Sequence, residues 1–159
     1  MKQKILIKYH DHDFKLKSHG NWFDLYASEN VELEAGDHKL IDLGVSMKLP
    51  KHYQANIVPR SSTFKKFNLI QANHYGVIDG PTNESTGYSG NNDRWKFSAI
   101  AFDPIKIKKG ERLCQFEVRL SMNAPFWTKL KWLFSSGFKF IEVDDLKTED
   151  RGGFGTTGK

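Results

Sequence analysis

A single cysteine, Cys114, in 159 residues leaves no partner for a disulfide and no thiolate cluster for a metal. No apolar run approaches the roughly 20 residues that cross a bilayer, so a transmembrane helix is excluded and no membrane partner is expected. The opening MKQKILIKYHDHDFK has a basic start, but its apolar stretch is too short and interrupted for a signal peptide. A cytoplasmic protein is therefore expected. Concentrated positive charge is missing as well. The net charge is +5 and the sequence pI about 9.2, yet the lysines are scattered, with no dense basic run and no RNA-binding signature. No nucleic-acid partner is expected. The surplus charge fits either a plain soluble lysine-rich surface or attraction to a small anionic ligand. Internal repeats are absent too. At 38% hydrophobic and 13% aromatic residues, the chain can fill one sizeable core but not two.

What is present reads as short strands between turn residues. Gln3–Tyr9 is β-rich, with Ile5 and Ile7 on one face. Glu32–Met47 holds two short apolar runs around Ala35-Gly36-Asp37, and Tyr53–Val58 leads into Pro59. Trp95–Phe102 puts Trp95, Phe97, Ala99 and Ala101 on one face. Arg112–Leu120 turns Cys114, Phe116, Val118 and Leu120 one way and Gln115, Glu117 and Arg119 the other. Many short strands with little helix predict an all-β sandwich or jelly roll.

Two segments depart from that pattern. In NAPFWTKLKWLFSSGF, Phe126, Trp127, Leu130, Leu133 and Phe134 recur at helical spacing. Pro125 suits a first turn and Gly137 a stop, which predicts a short amphipathic helix over Pro125–Ser136. Packing against the body or a neighbouring subunit is one use for its apolar face; a partner or a membrane surface is the other. The tail DRGGFGTTGK, residues 150–159, is too glycine-rich to form a stable element alone. It is compatible with a free end, and equally with a segment that closes over phosphate through backbone amides and Arg151. The expected organisation is a β domain over 1–149 followed by this tail.

Five separated segments then come in a telling order: GNWFDLYA (Gly20–Ala27), PRSST (Pro59–Thr63), NHYGVID (Asn73–Asp79), GERLCQF (Gly110–Phe116) and DRGGFGTTG (Asp150–Gly158). Each alone is weak. Together, in order and at nearly the right spacing, they resemble the homotrimeric dUTPase family, particularly its Bacillus and phage branch. The resemblance implies a jelly-roll subunit (a distorted β-barrel) with the helix near 125–136 inserted, and three copies sharing active sites. It implies hydrolysis of dUTP to dUMP and pyrophosphate with Mg²⁺ as cofactor, carried by the triphosphate and water rather than by direct protein ligands.

By the same resemblance, Asp79 orients and deprotonates the attacking water and bonds the deoxyribose 3′-hydroxyl. Arg60 and the hydroxyls of Ser61 and Ser62 address the phosphates, Ser61 near the bridging oxygen where charge builds. Asn73 and the backbone of Gly76, Val77 and Ile78 read the uracil edge, rejecting cytosine through mismatched polar groups. Gln115 serves a site shared between subunits. Arg151, Gly155, Thr156 and Thr157 bind the terminal phosphates, with Phe154 over the base. Asp24 steadies either Arg60 or a metal-bound water, or else it is a structural carboxylate.

The match breaks in one place. The family has two residues between its Asp and a Tyr that excludes a 2′-hydroxyl. Here the eight residues GPTNESTG separate Asp79 from Tyr88, six more than the family pattern, so Tyr88 is a sugar-packing residue only if the loop returns it. Two other readings compete with this one. The related dCTP deaminases need a glutamate near the base, and NNDRWKFSA after Tyr88-Ser89-Gly90 carries none. A nucleotide-dependent regulatory module, bound to a protein partner through the two insertions, can coexist with catalysis.

Overall fold

Alternation of apolar and polar residues draws the first strand. In β1 (Gln3–Tyr9) the side chains of Ile5, Ile7 and Tyr9 are buried, while Leu6 and Lys8 between them are only partly covered and Lys4 before them is exposed. The computed structural model describes residues 1–11, 13–18 and 20–153. After β1 come β2 (Lys17–Ser18), β3 (Phe23–Tyr26), β4 (Val31–Leu33), β5 (His38–Asp42), β6 (Val45–Lys48) and β7 (Tyr53–Pro59). A short helix α1 (Thr63–Phe67) precedes β8 (Leu69–Gln71) and β9 (Gly76–Asp79), which a tight turn separates. Then follow β10 (Lys96–Ala101), β11 (Ile105–Ile107), β12 (Arg112–Leu120), α2 (Phe126–Leu133) and β13 (Phe138–Glu142).

The fold is all-β, of jelly-roll type. Its widest sheet runs β2-β3-β12-β7-β9, all antiparallel. Three smaller sheets, β5-β10-β8, β13-β1-β6 and β11-β4, complete the body. β1 pairs β6 antiparallel and β13 in parallel, so the last strand lies beside the first. Between the sheets the face read from sequence on Trp95–Phe102 is fully buried, as are Cys114 and Phe116 of β12. Phe116 sits at the centre, with ring centroids 5.0 Å from Trp95, 5.4 Å from Phe23 and 6.3 Å from Phe140.

Three elements differ from expectation. α1 occupies what reads as a turn after PRSST; a helix of five residues is too short to register as periodicity. β13, which the sequence reading did not single out, is short: Phe138 and Phe140 pack toward the core, Lys139 is exposed, and the strand pairs in parallel with β1. The helix expected over Pro125–Ser136 is shorter, Phe126–Leu133, and does not bury its apolar face in the body. Phe126, Trp127, Leu133 and Phe134 are each two-thirds or more exposed, and the segment Met1–Gln3 lines a shallow groove with Trp127, Leu130 and Phe134. No described helix is long and apolar enough to cross a membrane.

This packing separates the two aromatic sets energetically. Phe116→Ala should lower the free energy of unfolding by about 3–5 kcal/mol, because a buried ring leaves a cavity. Phe126→Ala should change it by no more than about 0.5 kcal/mol, as expected for an exposed side chain. Chemical denaturation of the two variants checks the difference.

Candidate active site

The widest sheet presents one polar face, and register fixes what lies on it. Asp24 of β3 is opposite Gln115 of β12, which is opposite Val58 of β7. At the other end, Arg119 of β12 faces Gln54 of β7, which faces Asp79 of β9. Side chains two apart on a strand share a face, so Asp24, Gln115, Gln54 and Asp79 all point outward from this sheet. The candidate residues gather at opposite corners of it.

The first corner is built around Asp24, which is 4% exposed. Arg60 places Nε 2.9 Å from its Oδ1, and Arg112 donates from Nη1 to its Oδ2 at 3.2 Å. A buried carboxylate needs such partners, and two guanidinium groups for one carboxylate leave the corner net positive. Of the roles expected for Asp24, steadying Arg60 is the one the geometry supports, since both its oxygens are engaged by arginine. The PRSST loop is pinned from behind. Thr63 Oγ1 donates to the Leu113 carbonyl at 2.8 Å and accepts the Arg60 N–H at 3.0 Å. That leaves Ser61 and Ser62 exposed beside the guanidinium, with Arg60 Nη1 3.4 Å from Ser62 Oγ.

The second corner, the hairpin corner, is β9 with the turn that enters it and the loop that closes from Asp79 back to Tyr88. Val77, Ile78, Asp79 and Tyr88 line a cleft of about 240 Å³ together with Arg151, Gly152 and Gly153. Asp79 is exposed, and Arg151 Nη1 lies 3.2 Å from its Oδ2. Asn73 is exposed in the turn that enters β9, its carbonyl accepting the Tyr75 N–H at 2.6 Å.

The long loop between Asp79 and Tyr88 is closed at its base. Gly80 N–H bonds the Tyr53 carbonyl at 2.9 Å, and Tyr88 N–H bonds the Asp79 carbonyl at 2.8 Å. Gly87 makes the closure possible: its φ is +69°, and a Cβ there would overlap the Gly80 backbone. The six additional residues thus leave the sheet and return, and Tyr88 re-enters the cleft beside Asp79. Its hydroxyl donates to the Arg94 carbonyl at 2.9 Å.

The two corners are far apart in one chain. Asp79 is opposite Gln54, and Arg60 lies six residues further along β7, about 20 Å at strand spacing. The Arg60 guanidinium also turns toward β3, away from β9. The structure therefore brings Asp79, Val77, Ile78, Tyr88 and Arg151 together, with Gly76 and Asn73 beside them at the hairpin corner. It groups Arg60, Ser61, Ser62 and Gln115 elsewhere. Phe154, Gly155, Thr156 and Thr157 lie outside the described residues. Sequence reasoning missed Arg112, although it stands within GERLCQF as the one charged residue heading an apolar strand face. It also missed Asp93, which is 1% exposed amid turn-forming residues.

Comparison with known proteins places this geometry. A family model described as dUTPase matches residues 13–122. The chain belongs to the dUTPase family. It is 43% identical over 158 residues to the SPbeta prophage-derived deoxyuridine 5′-triphosphate nucleotidohydrolase YosS of Bacillus subtilis, covering 98% of each chain. It is 32% identical over 137 residues to the deoxyuridine 5′-triphosphate nucleotidohydrolase of Leifsonia xyli, covering 85% of this chain and 77% of that one. Among solved structures it resembles a dUTPase from Streptococcus mutans, with TM-score 0.62, 24% identity, and 74% and 93% of the two chains covered. The dUTPase of Staphylococcus bacteriophage 80alpha aligns over 98% of both chains at TM-score 0.59 and 18% identity. These structural likenesses reinforce the dUTPase fold.

Burial, then the nearby carboxylates of Asp93, Asp42 and Asp150, pushes the Tyr88 phenol up to about 12 from its ordinary 10. Folding thus favours its protonated form. The stability this contributes is complete below pH 10 and is lost as pH rises toward 12. Tyr88→Phe should remove that part of the alkaline decline, which denaturation midpoints measured across pH 9–12 will register.

Proposed function

We propose that this dUTPase hydrolyses dUTP to dUMP and pyrophosphate at sites assembled between copies of the chain, as a homotrimer. One observation supports this above the others: the groups the reaction needs lie at two corners of one sheet, about 20 Å apart. Reacting atoms must come within about 3–3.5 Å of each other. One chain alone does not bring Arg60 and Ser61 to the water that Asp79 would activate. A ring of copies joins the positive corner of one to the hairpin corner of the next, and closed cyclic symmetry makes every such junction equivalent.

In this reading the hairpin corner binds the nucleoside. Backbone groups of Gly76–Ile78 and the Asn73 amide address the uracil edge, and Tyr88 packs against the sugar. The exposed Asp79 carboxylate holds a water in line with the α-phosphorus and accepts its proton. Because Arg151 already pairs with Asp79, binding of the triphosphate gives that guanidinium a competing anion and releases the carboxylate toward the water. The positive corner of the neighbouring copy supplies Arg60 to the phosphates and Ser61 and Ser62 as hydroxyl donors. Charge accumulating on departing pyrophosphate is met there by groups already in position.

The described residues contain no cluster of three or more His, Cys, Asp or Glu side chains that could cage a metal. The carboxylate of Asp24 is occupied by two arginines. This donor set fits Mg²⁺ carried mainly by phosphate oxygens and water, as expected of an ion that dehydrates reluctantly. When bound, Mg²⁺ supplies charge neutralisation of the triphosphate.

Pyrophosphate release from dUTP, dCTP, dTTP and UTP, each with Mg²⁺ or with chelator, tests this reading. Rapid release from dUTP alone, abolished by chelator, is expected. Asp79→Asn should lower kcat by about 10²- to 10⁴-fold, the usual weight of a general base, while dUTP binding survives. Undiminished turnover by Asp79→Asn would contradict the assignment.

A further inference from the structure

Between Tyr88 and β10 the chain makes a tight turn, Gly90–Asp93, and the root of the tail is locked onto it. The buried Asp93 carboxylate accepts three backbone N–H groups. Oδ2 takes those of Gly90 and Arg151, each at 2.9 Å, and Oδ1 takes that of Gly152 at 2.9 Å. Asp150 returns the grip: its Oδ1 accepts the Asn92 N–H at 2.8 Å and its Oδ2 the Asn92 side-chain amide at 2.7 Å. Gly90 is the contact point, because a Cβ there would overlap Asp150. Beyond the lock, Gly153 lies against the Tyr88 ring, with space for a Cβ only 3.1 Å from its Cε2.

A carboxylate this deeply buried is tolerated only when its lone pairs are filled, and two of its three donors belong to the tail. The charge therefore favours the docked tail over the free one. Docking fixes the backbone at Arg151, and from that backbone the guanidinium reaches Asp79.

We propose that Asp93 is a positioning residue, which docks the tail root on the hairpin corner and presents Arg151 to Asp79 before nucleotide arrives. The proposal rests on the reading of Asp79 and Arg151 as parts of the dUTP site. The guanidinium is thus placed before nucleotide binds, and preorganisation of this kind leaves more of the interaction energy for the transition state.

Trypsin reads the docking directly, because the bond after Arg151 is a cleavage site within the lock. In the intact protein without nucleotide, cleavage at Arg151–Gly152 should be slow. Asp93→Asn puts an amide against backbone N–H groups, and should speed that cleavage at least tenfold and lower kcat/KM for dUTP at least tenfold. Asp150→Ala, at an exposed position that does not threaten folding, should speed the cleavage in the same direction. The loss from Asp93→Asn should nearly vanish when Arg151 is already alanine, since the two then act through one path. A residue that merely held the fold together would give losses that multiply with Arg151→Ala. Such multiplication, or unchanged cleavage in both Asp93→Asn and Asp150→Ala, would overturn the proposal. Wild-type protein that releases no pyrophosphate from dUTP would instead overturn the functional reading, and the cleavage rates alone would then decide the docking.

Discussion

Strand β7 is hydrogen-bonded along both edges, to β12 on one side and β9 on the other. That double pairing makes it a rigid spacer. Its inward side chains, Tyr53, Ala55 and Ile57, are buried in the core, so it can neither slip by one residue nor bend without turning that set to solvent. Everything in the candidate site hangs from its two ends. At one, the chain leaves through Pro59 into the arginine and hydroxyl loop; at the other, β9 delivers Asp79 opposite Gln54. The separation of the two corners follows from this strand, and the proposal that a second copy joins them rests on it.

Each corner is held by a different kind of polar economy. At the positive corner, one buried carboxylate orders two guanidinium groups, and Arg60 keeps its direction through Asp24 rather than through contact with ligand. At the hairpin corner, the anion proposed to act on water, Asp79, is the exposed one, and the buried anion, Asp93, is bonded to backbone N–H groups. Charges that organise are buried and fully hydrogen-bonded; the charge assigned to chemistry stays accessible.

Much of this was legible in the sequence, and the reasons differ between elements. β1 and β12 were readable to the residue because one face is dry and the other wet, which imprints a period of two. The five segments nominated candidate residues by type and order, and the structure brings three of them, Asp79, Tyr88 and Arg151, to one cleft. Which of the segments meet within a single chain was not readable, because that depends on strand register across three sheet neighbours. α1 was too short to leave a period, and β13 is short as well. Tyr88 illustrates the limit well: the loop length argued against it, and only the closure at Gly80 and Gly87 puts it back beside Asp79. Asp93 was invisible for a related reason, since a buried carboxylate in a turn looks like any other turn-forming aspartate. The apolar face of α2 was correctly located, but its surroundings were not: the spacing says which side is apolar, not what covers it.

The account turns on active sites that combine one copy's Arg60 corner with another's Asp79 corner. Arg60→Ala and Asp79→Asn, each purified separately, should both be close to inactive on dUTP. Co-refolded in equal amounts, they should regain about a quarter of wild-type turnover, because random assembly in a closed symmetric ring pairs an intact Arg60 with an intact Asp79 at that fraction of junctions. A mixture that stays as inactive as its components would contradict a site shared between chains.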